Sequence, residues 1–298
     1  MTAALRALVA GELGARVDAR VKDMAGAIAA KHGAASRAVL FYGSCLREKQ
    51  LDGLMLDFYL IVTDYREAYS KRWLAAANRL IPPNVFYFEH GGLRSKYAVL
   101  SEDHFRRECD LSARTASVFA RFSQPSRLVW TADEQAAEMA VDAVSCAAPA
   151  LLELARPTMT DAEARDVLDI WKRGFEFTFG AEIRAERSSR ASAIVDSDPD
   201  RYRRFAAACG FPRDLRLNEE QREISIDAWR QFRKRGKRAS VARLAKASLT
   251  FAGGAEYIAW KINRHAGTDI QLTEWQKRHP LLTAIRLLPR LLTSGAVR

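Results

Sequence analysis

Two short apolar runs, with a single acid set into the second, constrain this chain more than any other feature. Val39-Leu40-Phe41-Tyr42 runs into Gly43-Ser44; after twelve intervening residues comes Asp57-Phe58-Tyr59-Leu60-Ile61-Val62. Both runs are short and rich in aromatic and branched residues, so both read as buried strands of one strand–turn–strand unit spanning 39–63. A Gly-Ser pair at a strand end lets backbone N–H groups approach an anion closely, because glycine has no Cβ in the way. Asp57 is the only charge between Leu54 and Val62. A buried lone carboxylate is costly unless it is paired or binds a cation. The pattern predicts a carboxylate that holds Mg2+ beside a Gly43-Ser44 cradle for phosphate groups. The plainer alternative is a simple turn followed by an edge-strand charge.

The surrounding chain reads as a helix over 4–32, strands at 38–42 and 54–62, and a helix over 66–80 with Trp73, Ala76, Ala77 and Leu80 on one side. Pro82-Pro83 ends that helix, strands follow at 84–88 and 97–100, and Ser101 is placed to cap a further helix. This is a mixed α/β order. Beyond residue 102 only 127–130 reads as a strand, while 132–155, 160–180, 199–209, 218–235 and 239–264 read as helices. Ser123-Gln124-Pro125-Ser126 marks a boundary, which divides the chain into 1–125, a mainly helical 126–264 and a basic tail, 265–298.

Charge is placed unevenly. Residues 201–298 carry 21 Lys/Arg against 8 Asp/Glu, whereas the first 200 carry 26 against 28. The whole basic excess therefore lies in the last third, where it would attract a polyanion or form a plain solvated face. The four cysteines, Cys45, Cys109, Cys146 and Cys209, have no metal-ligand spacing, so reduced thiols and a cytoplasmic setting are expected. There is no apolar run long enough to cross a bilayer. Residues 281–292 form an amphipathic pattern, with Leu281, Leu282, Ile285, Leu287, Leu288, Leu291 and Leu292 on one broad arc and Arg286 and Arg290 opposite. Such a helix suits an anionic membrane surface, or packs onto the fold or a partner subunit, and Pro289 would disturb it.

A Gly-Ser followed by carboxylates on the next strand is similar to the nucleotidyltransferase pattern, although Met55 stands where a first carboxylate would be. That departure resembles one family in particular, the mitochondrial-type phosphatidate cytidylyltransferases (CDP-diacylglycerol synthases). The resemblance is carried by Tyr42-Gly43-Ser44, Met55-Leu56-Asp57-Phe58, Trp73, Asn78, Asn84-Val85-Phe86-Tyr87-Phe88, and Lys96-Tyr97-Ala98-Val99 with Ser101. Further on, Gly180-Ala181-Glu182-Ile183-Arg184, Glu186, Arg190 and Ile194-Val195, with Tyr202 and Phe205, are similar to a downstream block of that family. Ala98 replaces a glycine and Glu182 an aspartate.

The resemblance implies a nucleotidyltransferase-type mixed-sheet domain, then a mainly helical domain and an amphipathic C-terminal helix. It also implies transfer of a cytidylyl group from CTP to phosphatidic acid, with Mg2+, by a protein peripheral on the inner face of a membrane. Tyr42, Gly43, Ser44 and Lys96 would contact the nucleotide, Asp57 would hold the metal, and Lys96 and Arg184 would neutralise phosphate charge. Glu89 is the candidate for a second metal ligand, with Asp52 behind it. The competing expectations are a nucleotidyltransferase with another acceptor (RNA, protein or a small molecule) and a non-catalytic basic protein that binds RNA or membranes. Residues 216–264 carry no stacked-aromatic or zinc motif, so no specific nucleic acid is expected. Oligomeric state stays open.

Overall fold

The second strand, β2 (Met55–Val62), is apolar on both sides because both sides are covered. The computed structural model describes residues 2–48, 51–181, 189–213, 215, 217–250 and 273. Within them β1 (Ser36–Tyr42), β2, β3 (Asn84–His90), β4 (Leu93–Ser101) and β5 (Ser126–Thr131) form one sheet in the order β3-β4-β2-β1-β5. The β2–β4 pair is parallel and the other three pairs are antiparallel. β5 follows the 123–126 segment in sequence and lies beside β1, so the sheet continues past that point.

One face of the sheet carries Val39, Phe41, Phe58, Leu60, Val62 and Val99. These residues pack with Val21, Met24, Ala25 and Ile28 of α2 (Ala19–Ala30). The opposite face carries Ala38, Leu40, Tyr59, Ile61, Ala98 and Leu100. It joins a larger cluster with α1 (Ala3–Leu13), Phe105, Phe122 and the downstream helices, which contribute Trp171, Phe175 and Tyr202. Successive strand residues point to opposite faces, so Asp57 belongs to this second, helix-covered face with Tyr59 and Ile61.

Several helical expectations are corrected. The run 4–32 is two helices, because Asp18 caps α2 by accepting the Arg20 N–H at 2.9 Å. The run 66–80 divides into α4 (Tyr65–Ala68) and α5 (Arg72–Leu80), and the face of α5 is reversed. Trp73, Ala76 and Leu80 are exposed, while Ala75 and Asn78 are buried. Asn78 decides this. Its amide donates to the Val99 carbonyl and the Tyr69 hydroxyl, both at 3.0 Å, and accepts from the Asn84 N–H. A polar residue with every bond satisfied can sit inside, and hydrophobic periodicity does not reveal it.

Downstream, α6 (Glu102–Cys109) starts on the Ser101 cap as expected, and α7 (Phe119–Phe122) leads into β5. The predicted 132–155 helix is interrupted at Cys146 between α8 (Glu134–Ser145) and α9 (Ala147–Ala155). There follow α10 (Val167–Gly180), α11 (Ser189–Asp196) and α12 (Pro199–Ala208). The helices expected at 218–235 and 239–264 are one continuous element over the described residues, α13 (Glu219–Thr250). Gly236 lies inside it. A Cβ there would lie 2.5 Å from the Ala181 carbonyl oxygen, so this glycine permits close crossing and is not a break.

Several cations of the basic last third are internal. Arg201 is buried against Glu12, with Nε and Nη2 at 2.5 and 2.9 Å from its carboxylate, and also donates to the Ser123 carbonyl. On α13, Arg243 donates to the Pro82 carbonyl and the Ser117 hydroxyl, while Lys246 donates to the carbonyls of Ile81 and Pro83. Burial pulls the Lys246 ammonium down to about 7.

Candidate active site

Strand pairing brings residues from five separate segments into one row. Tyr42 is opposite Asp57 in the β1–β2 pair, Asp57 is level with Lys96 in β2–β4, and Lys96 is opposite Tyr87 in β4–β3. On the other side Tyr42 is opposite Ser126 of β5. The row Ser126–Tyr42–Asp57–Lys96–Tyr87 lies on the helix-covered face, near the end of the sheet where β1 finishes and β2 begins.

Asp57 is held from two directions. Its Oδ1 is 3.1 Å from Lys96 Nζ. Its other oxygen rests against Gly43, where φ is +100° and a Cβ would come within 2.9 Å of Oδ2. Any side chain at 43 would be strained by the backbone and would push the carboxylate away. Glycine is thus required here by the acid as well as by the turn. Ser44 directly follows and opens α3 (Ser44–Glu48). The Tyr42 ring packs on Tyr59 at 5.4 Å and on Phe122 at 6.0 Å, which ties the row to the core beneath it. The Asp57 side chain is 20 % exposed and that of Lys96 37 %. The pair is open enough to be reached, and it is incompletely solvated. The buried Ser126 hydroxyl ends the row with no hydrogen-bond partner among the described residues.

The arrangement joins Tyr42, Gly43, Asp57 and Lys96 and leaves Glu89 outside. Glu89 is on β3, two strands from β2, so its Cα is about 10 Å from β2 across the sheet. Its carboxylate accepts from Arg94 Nε at 3.1 Å and from the Tyr87 hydroxyl. Asp52 is an exposed loop acid paired with Arg20 at 2.9 Å. Arg184, with Glu182 and Glu186, and the amphipathic tail fall outside the described residues, as does the side chain of Arg190. Sequence reasoning overlooked Arg94, which precedes Lys96 by two and shares its face. The signal was period-two spacing, hidden because the predicted strand began only at Tyr97.

Among the described residues no group of three or more His, Cys, Asp and Glu side chains is placed to hold a metal ion. A single carboxylate suits a different arrangement, a Mg2+ that arrives with substrate phosphates and keeps several waters. The partial exposure of Asp57 is compatible with that use, and Gly43 lets the backbone approach the carboxylate closely.

Fold and row together define a mixed α/β protein with a carboxylate–lysine site at the end of its sheet. No known protein-family model matches the chain, and no curated protein matches it. Among solved structures, a nucleotidyltransferase-like protein from Exiguobacterium sibiricum is similar over 91 % of each chain, with 11 % identity and a TM-score of 0.28.

Proposed function

We propose that this protein is a nucleotidyltransferase that transfers a cytidylyl group from CTP to phosphatidic acid, forming CDP-diacylglycerol and pyrophosphate at a membrane surface. The observation that supports this reading is the meeting of Tyr42-Gly43, Asp57 and Lys96 on three neighbouring strands. These belong to three of the motif segments that resemble the phosphatidate cytidylyltransferases, and they come from positions spread over more than fifty residues.

The attacking group would be a phosphate monoester, which is largely dianionic at neutral pH, so the chain need not supply a strong base. The described histidines agree with that economy. His32 faces the Ala68 carbonyl and Tyr97 hydroxyl, His90 faces Asp23, and His104 faces Tyr65; none stands in the row. Catalysis would rest on positioning and charge neutralisation. Asp57 would hold Mg2+, which would supply neutralisation of phosphate charge. Lys96 balances Asp57 in the unliganded protein and would turn to phosphate oxygens when nucleotide enters. Gly43 and Ser44 would offer backbone N–H groups and a hydroxyl to the same phosphates. Membrane association would fall to the amphipathic 281–292 segment, since no described helix is long and apolar enough to cross a bilayer.

The test is purified protein with Mg2+, radiolabelled CTP and phosphatidate vesicles. Labelled lipid that depends on Asp57 is expected. Label in an added RNA, protein or small molecule instead would keep the nucleotidyl transfer and remove the lipid acceptor. Full turnover by Asp57→Asn would remove the site assignment altogether.

A further inference from the structure

Arg94 lies one step further along β4 from Lys96, and nothing in the nucleotide reading so far uses it. Two residues apart on one strand, the two cations share a face and are about 6.6 Å apart along the chain. Parallel pairing sets Lys96 level with Asp57 and Arg94 level with Met55. The cations therefore form a short ladder that starts at the carboxylate and leads towards the β3–β4 turn.

Two clefts open at that turn, and Arg94 lines both. One, of about 410 Å³, is bounded by Glu89 to Arg94; the other, of about 100 Å³, by Leu51, Gly53, Leu54 and Gly92 to Arg94. The turn itself is Gly91-Gly92, with φ of +56° and +74°, so it adds no side chain of its own, and the Asp23 carboxylate, paired with His90 at 2.9 Å, stands beside Gly91. Glu89 stands opposite Arg94 on β3 and accepts its Nε–H at 3.1 Å, while the Tyr87 hydroxyl holds the same carboxylate. Glu89 thus sets the orientation of the guanidinium. Both partners are about half exposed, and a pair so placed contributes little to folding. A guanidinium oriented in this way, beside a glycine turn and next to a lysine, matches the fork geometry of phosphate oxygens.

We propose that Arg94, oriented by Glu89, forms a polyphosphate subsite that continues the Asp57–Lys96 site along β4 and receives the end of the triphosphate that leaves as pyrophosphate. This inference rests on the nucleotidyl-transfer reading, and the experiment separates the two. Calorimetric binding of inorganic tripolyphosphate and of CTP to the full-length protein with Mg2+ is compared between the wild type and Arg94→Ala. Expected is a loss of at least roughly tenfold in both affinities, with partial recovery in Arg94→Lys and a smaller loss in Glu89→Gln. In turnover, KM for CTP should rise more than kcat falls, and the melting temperature should stay near that of the wild type. Unchanged tripolyphosphate affinity in Arg94→Ala would overturn the subsite and leave the nucleotide site at Asp57 standing. A wild-type protein that binds neither tripolyphosphate nor CTP would overturn both.

Discussion

Charged side chains in the sheet row and in the C-terminal helices have opposite surroundings, although both lie against the same apolar cluster. In the helical region Arg201 and Glu12 are 4 % and 15 % exposed, and the guanidinium bonds a carboxylate and a backbone carbonyl. Lys246 and Arg243 likewise bond the 81–83 carbonyls, which anchors α13 to the turn that enters β3. These cations hold elements together. Asp57 and Lys96 are more exposed and face one another across adjacent strands, and Asp57 rests against a glycine whose replacement would displace it. The comparison teaches that a charge is read by its setting. A charge sealed among protein acceptors is structural; one kept partly exposed at the rim of an apolar face is within reach of a ligand.

The largest test of that contrast is Asp57→Asn. Turnover should fall by roughly a thousandfold, as expected when a group that positions and neutralises charge is lost. The thermal transition should barely move; a collapse of the fold would place Asp57 with the structural charges. Arg201→Met should do the reverse. It leaves Glu12 buried without its partner, at a cost of roughly 3–5 kcal/mol in chemical denaturation, with tripolyphosphate affinity of the folded fraction unchanged.

Gly43→Ala comes next. The positive φ and the contact with Asp57 should together cost about 1–3 kcal/mol of stability and lower turnover as well, so this one variant joins the two behaviours. Lys246 supplies a subtler test through pH. Its folded value, about 7, is below the ordinary 10.5, so between these the unfolded chain holds more protons and stability rises with pH. Lys246→Met should flatten that rise between pH 7 and 9 when its melting curves are compared with the wild type. The smallest effect belongs to Asp52→Asn. It breaks only an exposed contact with Arg20, and both turnover and melting temperature should stay at wild-type values.

Much of the site was legible because strands have a simple period. Gly43 and Asp57 stood out as a glycine at a strand end and a lone acid in an apolar run, and both proved to be in contact. Glu89, expected as a second ligand from its place at a strand end, lies two strands from Asp57. An acid at a strand end looks suited to metal binding until the strand order is known, and β4 lies between it and β2. The reversed face of α5 has a similar origin. Trp73 and Leu80 look like core and Asn78 like surface, yet Asn78 is interior because three protein groups saturate its amide.

By itself the sequence determined the strands, their two-sided burial, the glycine turn and the identity of the acid, since each follows from side-chain chemistry and local backbone preference. Tertiary structure alone decided which cations stand in the partly exposed row beside Asp57 and which became struts. A cation's partner is chosen by strand order and helix docking, which bring together residues as distant as Glu12 and Arg201. Spacing along the chain carries no record of that choice. The same packing set Lys96 beside Asp57, Arg94 beside Glu89, and Gly43 where one added carbon would displace the carboxylate.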